Sequence, residues 1–197
     1  MFFWDYVPRR YGIMKYFNYY INRWQLIADG EPIITPGSKL LPVIHNAVPA
    51  ILKIAEEPEE KVGANLMVWW GGHGAAGVLA HENNALLLER ATGSRSLSAI
   101  AKRGDDTEAS EIICKVVHTL HRRTLTELPE LTPLDQWFAD MHTCAAKYGG
   151  ILSLCAETIH ALLSSPQDVV VLHGDIHHNN ILDFDDRGWL AIDPKGL

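Results

Sequence analysis

Residues 169–184 read VVVLHGDIHHNNILDF, and residues 187–197 read RGWLAIDPKGL. Between apolar stretches lies the densest polar run of the chain, His173-Gly174-Asp175-Ile176-His177-His178-Asn179-Asn180. A polar loop held between buried strands is where rigidly placed catalytic groups are usually found. Its spacing is specific: Asn180 stands five residues beyond Asp175, and Asp193, eighteen beyond it, ends the apolar run Trp189-Leu190-Ala191-Ile192. ILDF and WLAID flank the turn DDRG, which predicts a hairpin with Gly188 at a positive-φ position. That hairpin brings Asn180 and Asp193 together. One carboxylate can then meet a hydroxyl, while an amide oxygen and a second carboxylate supply the hard oxygen ligands that Mg2+ shares with substrate phosphates.

Outward from this loop, Val169 to Leu172 reads as a short apolar strand. Trp137 to Leu163 predicts one long or two shorter helices, with Gly149-Gly150 as the break, and Ser96–Arg103 is a further helix. Glu108–Arg122 is helical as well, with apolar residues at Ile112, Ile113, Val116, Val117 and Leu120. Before Gly93 the texture is one of strands. Gly30–Ile44 predicts a hairpin around Pro36-Gly37-Ser38, and Val48–Ala55 a strand with a single lysine, Lys53. The stretch from Glu56 to Trp70 has an acidic first turn and then helical apolar spacing, which suits a helix N-terminus. Two strands, GVLAH and ALLLE, surround HENN, the second ending at Glu89. The chain is therefore expected to be α+β in two lobes, strand-rich and then helix-rich.

The composition narrows the partners. Lys plus Arg number 17 against 24 Asp plus Glu among 197 residues, a formal charge of -7. An acidic chain without a basic stripe is a poor match for a phosphate backbone, so nucleic acid is not an expected partner and a cationic small molecule is permitted. No apolar run approaches the ~20 residues of a membrane span. The aromatic start is interrupted by Asp5, Pro8, Arg9 and Arg10 and lacks a secretory pattern. Three scattered cysteines, Cys114, Cys144 and Cys155, suit a reducing compartment. A cytoplasmic protein is the expectation.

Asp175 with Asn180, a hairpin and then Asp193 resembles the catalytic loop and metal-binding Asp of kinase-like phosphotransferases. HGD in place of HRD, and IDP in place of DFG, are similar to the aminoglycoside phosphotransferases. The fuller strings, with PAILKIA, EEKVGANLMVWW and NNALLLERATG upstream, resemble their streptomycin phosphotransferase branch, the aminoglycoside/hydroxyurea resistance kinases. The likeness covers about Phe17 to Leu197. It implies a protein-kinase-like fold, with an atypical extension over 1–16, a small lobe over 17–91 and a partial larger lobe over 92–197. It also implies ATP and Mg2+ as cofactors and an aminoglycoside as acceptor. Asp175 would take or orient the hydroxyl proton; Asn180 and Asp193 would bind Mg2+. Lys53, by itself readable as an edge-strand lysine reaching to water, would pair with the nucleotide phosphates. Glu60 is the chosen ion-pair partner among the rivals Glu56, Glu57 and Glu59. Glu89-Arg90-Ala91 would form the hinge whose backbone holds adenine.

Other features read differently. Gly72-His-Gly74-Ala-Ala-Gly77 satisfies G-x-G-x-x-G but follows a helix and precedes a strand, so it reads as a connector. The tip Thr35-Pro36-Gly37-Ser38 is the candidate nucleotide loop. His173, His177 and His178 with Asp175 could suggest a metallohydrolase, for which His118 and His121 are the tempting extra ligands. In the kinase reading His173 bonds nearby backbone, and Trp69-Trp70 is core packing. Family members continue past the position of Leu197, so the resemblance implies a C-terminally truncated chain lacking much of the acceptor site. The alternative to an O-phosphotransferase is then an inactive kinase-like fragment that binds nucleotide or a partner chain.

Overall fold

The computed structural model describes residues 10–123 and 126–197, so most of the expected extension lies outside the described residues. Two short helices come first, α1 (Arg10–Met14) and α2 (Asn18–Arg23). Next come β1 (Ile27–Ala28), β2 (Ile33–Ile34), β3 (Ser38–His45) and β4 (Val48–Ala55). Helix α3 (Pro58–Trp70) separates these from β5 (Val78–Glu82) and β6 (Ala85–Glu89). The antiparallel sheet runs β1-β3-β4-β6-β5, and β2 also pairs with β3 around the expected tip, with Ile33 opposite Leu40.

Both faces of this sheet are covered, so its central strands read as continuous apolar runs rather than alternating ones. The period of two is nevertheless kept. Leu52, Ile54, Ala85 and Leu87 join Phe17, Tyr20 and Leu26 in one core, against which Ile13 and Met14 also pack. Leu86 and Leu88 face the other way, toward Leu66, Met67 and Trp70 of α3. Helix α3 starts with Pro58 in its first turn and Glu59 and Glu60 beside its N-terminus, and it ends at Gly71 with φ 58°. The following glycine-rich segment is a connector that lies on the larger lobe. Ala76 N–H donates to Ala191 O over 2.9 Å, and Ala191 N–H donates to Gly74 O over 3.0 Å.

The larger lobe comprises α4 (Leu97–Lys102), α5 (Asp106–His121), α6 (Leu134–Trp137), α7 (Ala139–Tyr148) and α8 (Ile151–Ser164), then β7 (Ile181–Asp183) and β8 (Trp189–Ala191). The break between α7 and α8 falls at Gly149-Gly150, as expected. The β7–β8 hairpin pairs Ile181 with Ala191, and Gly188 has φ 74° in its turn. Leu97, Ile100, Val116 and Leu120 bury against Ile181, Phe184 and Leu190 in the same core that receives α3, so the two lobes share one apolar interior. By contrast α7 and α8 bury none of their residues and pack on each other. One expectation fails. Residues 169–172 form no strand: Leu172 exchanges both backbone hydrogen bonds with Leu197, and Val169 lies 66% exposed. Apolar character alone does not make a strand where no ladder continues.

The passage between lobes is pinned by a polar clamp. Buried Asp183 accepts from Arg95 Nε over 2.8 Å, from Arg95 Nη2 over 2.7 Å and from the Arg95 amide over 3.2 Å. These Arg95 hydrogen bonds hold its carboxyl below the usual carboxylate range. Gly93 N–H donates to Asp183 O over 3.0 Å, and a Cβ at Gly93 would stand 2.2 Å from Asp183 Cγ. Gly93→Ala is therefore expected to destabilise the chain by about 1–3 kcal/mol through overpacking. Equilibrium urea unfolding checks this; a midpoint equal to that of the unsubstituted chain would refute the clamp.

Candidate active site

Strand β4 lies centrally between β3 and β6, so Lys53 is not an edge residue. It projects opposite to Leu52 and Ile54 and reaches the cleft with only 9% of its surface exposed. Its Nζ donates to Glu60 Oε2 and to Asp193 Oδ1. Glu60 is equally buried, and the rival glutamates are accounted for otherwise. Glu56 pairs with Lys39, Glu59 with Lys195, and Glu57 is the exposed residue preceding α3. The second Glu60 oxygen, Oε1, accepts from Lys195 Nζ over 3.1 Å. Burial opposes the charge of Lys195, but Glu59 and Glu60 outweigh it and hold the ammonium above its ordinary range. Nothing in the sequence reading singled out Lys195; its position two residues after Asp193 was the available signal.

The loop from His173 to Asn180 is held by its own polar groups. Asp175 N–H donates to His173 Nδ1 over 3.3 Å, so Nδ1 carries no proton. His173 Nε2 then donates to Ile192 O over 2.9 Å. The ring is buried and stacks on Trp70, with centroids 5.9 Å apart. Burial pushes its pKa below the ordinary histidine value, against the hydrogen bond to Ile192. His177 Nδ1 accepts from Asn179 N–H over 3.2 Å, so it too serves the loop. His118 and His121 lie apart on α5, and no three His, Cys, Asp or Glu side chains gather as a metal cluster among the described residues.

Asn180 links the loop to the hairpin. Its Nδ2 donates to Asp175 O over 2.9 Å and to Asp175 Oδ2 over 3.3 Å. Its own carbonyl accepts from Ile192 N–H over 2.9 Å, which sets Asp193 one residue beyond the ladder step opposite Asn180. With both described amide bonds on Asp175, Asn180 Oδ1 has no protein donor among the described residues. Asp193 adopts φ 60°, a region in which Asp is several-fold enriched among non-glycine residues. Asp175 and Asp193 keep 40% and 39% of their side-chain surface exposed. The donor set of two hard oxygens, one amide and one carboxylate, fits Mg2+.

A cleft of about 310 Å³ runs from Asp193 and Lys53 along the interlobe passage. Leu40, Ile51 and Leu88 line it from the sheet, and Leu182, Phe184 and Ile192 from the hairpin. Lys53 and Asp193 stand among its polar lining, with Thr35 and Ser38 of the expected nucleotide loop, and Glu89, Arg90 and Ala91 contribute too. Arg90 N–H donates to Pro49 O over 3.2 Å, and a proline cannot return that bond, so the Arg90 carbonyl has no ladder donor there. The Glu89 carboxylate accepts from Gly77 N–H over 2.5 Å and pairs with Arg187 of the hairpin turn. The sequence reading missed Leu182 and Phe184 as a floor, although ILDF displayed their alternation.

The family description "aminoglycoside/hydroxyurea antibiotic resistance kinase" matches residues 23–197 of the chain. The streptomycin 3''-kinase of Klebsiella pneumoniae is 46% identical over 177 residues, which are 90% of this chain and 66% of that protein. The streptomycin 6-kinase of Streptomyces griseus is 32% identical over 193 residues, covering 90% of this chain and 60% of its own length. The chain thus spans two thirds or less of the length of these curated relatives. Among solved structures, aminoglycoside phosphotransferase APH(4)-Ia superposes with a TM-score of 0.65 at 13% identity, over 92% of this chain and 71% of that one. This likeness shows a protein-kinase-like fold.

The neutral His173 has a consequence for stability. In the unfolded chain histidine binds a proton near pH ~6.5, whereas folding lowers the value. The unfolded state therefore takes up more protons in between, and the contribution present above that pH is lost as pH falls through the folded value. Chemical unfolding at pH 7.5 and 5.5 should show a loss of stability on acidification that is smaller in His173→Gln. Equal losses in both proteins would contradict the assignment.

Proposed function

The chain belongs to the aminoglycoside/hydroxyurea antibiotic resistance kinase family, and on that premise we propose that it transfers the γ-phosphoryl group of ATP to a hydroxyl of a streptomycin-like aminoglycoside. The observation that carries this reading is the two-ended cleft. One part is an apolar slot between the sheet and the hairpin; the other gathers the buried Lys53 and Glu60 and the partly exposed Asp193 beside the Asp175–Asn180 loop. Such a shape suits a planar base with a charged tail. The 46% identity to a streptomycin 3''-kinase supports the acceptor class, and the formal charge of -7 is compatible with a cationic one.

In this reading adenine lies between Ile51 and Leu88 on one side and Leu182 and Phe184 on the other. The freed Arg90 carbonyl and its neighbours Glu89 and Ala91 edge the base. Lys53, held by Glu60, faces the phosphates. Asn180 and Asp193 hold Mg2+, which when bound neutralises phosphate charge. Asp175 accepts the hydroxyl proton as the acceptor oxygen forms its bond to the γ-phosphorus. The bond from that phosphorus to the bridging oxygen breaks, and ADP departs. The protein contributes position and electrostatics rather than covalent chemistry. Dependence on ATP makes the cytoplasm the place of action.

Isothermal titration of the chain with Mg-ATP is the direct test. Binding is expected, weakened about tenfold or more by Asp193→Ala; a folded chain that binds no Mg-nucleotide refutes the reading. In an assay with streptomycin, Asp175→Ala should lower transfer by about 10²–10⁴-fold while Mg-ATP binding persists. Binding without transfer by the unsubstituted chain would instead favour a nucleotide-binding protein.

A further inference from the structure

The two residues after the cleft's carboxylate, Pro194 and Lys195, do more than lead away from it. Lys195 N–H donates to His173 O over 2.7 Å, which fastens this residue to the start of the catalytic loop. Its side chain crosses to α3, where Nζ pairs with Glu59 Oε1 at 2.8 Å and with Glu60 Oε1 at 3.1 Å. The approach is close at the backbone as well: a Cβ at Gly63 of α3 would stand 2.0 Å from Pro194 O. Helix α3 is thus locked to the segment that follows Asp193, by a steric fit at Gly63 and by two ion pairs one turn earlier.

The electrostatics give this lock a role. Glu60 sits between two ammonium groups, with Oε2 on Lys53 and Oε1 on Lys195. Lys53 is at the same time held by Asp193. If Lys53 is to face phosphates, Glu60 must hold it in place without claiming its whole charge. A buried carboxylate with Lys53 as its single cationic partner would draw that ammonium toward itself, because an incompletely paired buried charge is costly. A second cation on the far oxygen removes that demand. The same residue also fixes the side chain through which Glu60 reaches Lys53, since α3 cannot swing away while Lys195 spans it.

Resting on the nucleotide reading above, we infer that Lys195 is a positioning residue: it bridges the catalytic loop to α3 and shares the Glu60 carboxylate, so that Lys53 is presented to the nucleotide phosphates. It is not among the residues that line the cleft. Its effect should therefore appear only in the part of nucleotide affinity that phosphates contribute.

The test compares adenosine with Mg-ATP by calorimetry, using the full chain and its variants. In Lys195→Met the ratio of Mg-ATP to adenosine affinity should fall about tenfold with adenosine binding unchanged, and Lys195→Arg should restore most of the ratio. Should Lys195→Met not fold, Lys195→Gln, which keeps a hydrogen-bond donor without the charge, is read in the same way. An unchanged ratio in the folded variant overturns the inference and leaves the nucleotide reading standing. Equal loss of adenosine and Mg-ATP binding overturns it too, since it marks a general structural role. Failure of the unsubstituted chain to bind Mg-ATP overturns the nucleotide reading itself, and the inference with it.

Discussion

The ammonium of Lys53 is the point at which the two lobes meet electrically. It rises from the centre of the small lobe's sheet, takes a carboxylate from α3 and takes another from the far end of the β7–β8 hairpin. Withdrawing such a group from water costs several kcal/mol, and attraction to its partners offsets that cost only with good geometry. The remaining architecture provides the geometry. β4 is central and cannot fray, α3 is seated on Leu86 and Leu88, and the hairpin is built into the same core. Removing either partner of a buried pair of this kind typically costs about 3–5 kcal/mol.

A cleft between lobes needs walls that do not drift apart, and here the walls are tied at its back. The glycine-rich connector hydrogen-bonds to β8, Arg187 in the hairpin turn pairs with Glu89, and Arg95 grips Asp183. Each tie joins the hairpin to a segment of, or leading from, the small lobe. The hairpin is only three residues long on either side, too short to be stable alone. It is stable because it is the shared floor: Phe184 and Leu190 belong to the common core, while Leu182, Phe184 and Ile192 also line the cleft.

Much of this was legible from local chemistry. Period, turn residues and acidic helix starts located the main strands of the sheet, α3, α4, α5, the α7–α8 pair and the final hairpin, because each is dictated by residues within a few positions of one another; α1, α2, α6 and β1 carried no such signal. Glu60 needed more. Four glutamates crowd the start of α3, and one is distinguished by facing both Lys53 and the segment after Asp193, a tertiary fact with no local signature. Residues 169–172 differ from expectation for the complementary reason: their apolar run belongs to a segment that, among the described residues, exchanges backbone hydrogen bonds with Leu197 alone. Lys195 escaped notice because a lysine beside a turn ordinarily reaches water, and its partners lie some 135 residues away in sequence.

On the proposed nucleotide reading, the charges around Lys53 also imply an order of events. Lys53 and Lys195 face Glu59, Glu60 and Asp193, an excess of one negative charge before Asp175 is considered. In that balance Asp193 is satisfied by Lys53, and Lys53 by Asp193, so neither is free for a nucleotide. In that reading, Asp193 turned to a divalent cation would release Lys53, and the excess of one negative charge would become one positive charge, which suits phosphates. The cation and the phosphates would then favour one another, since linkage makes any such coupling reciprocal. Glu60 stays out of the exchange because its two oxygens are taken by separate lysines. On this reading one ion pair is exchanged while the other is held.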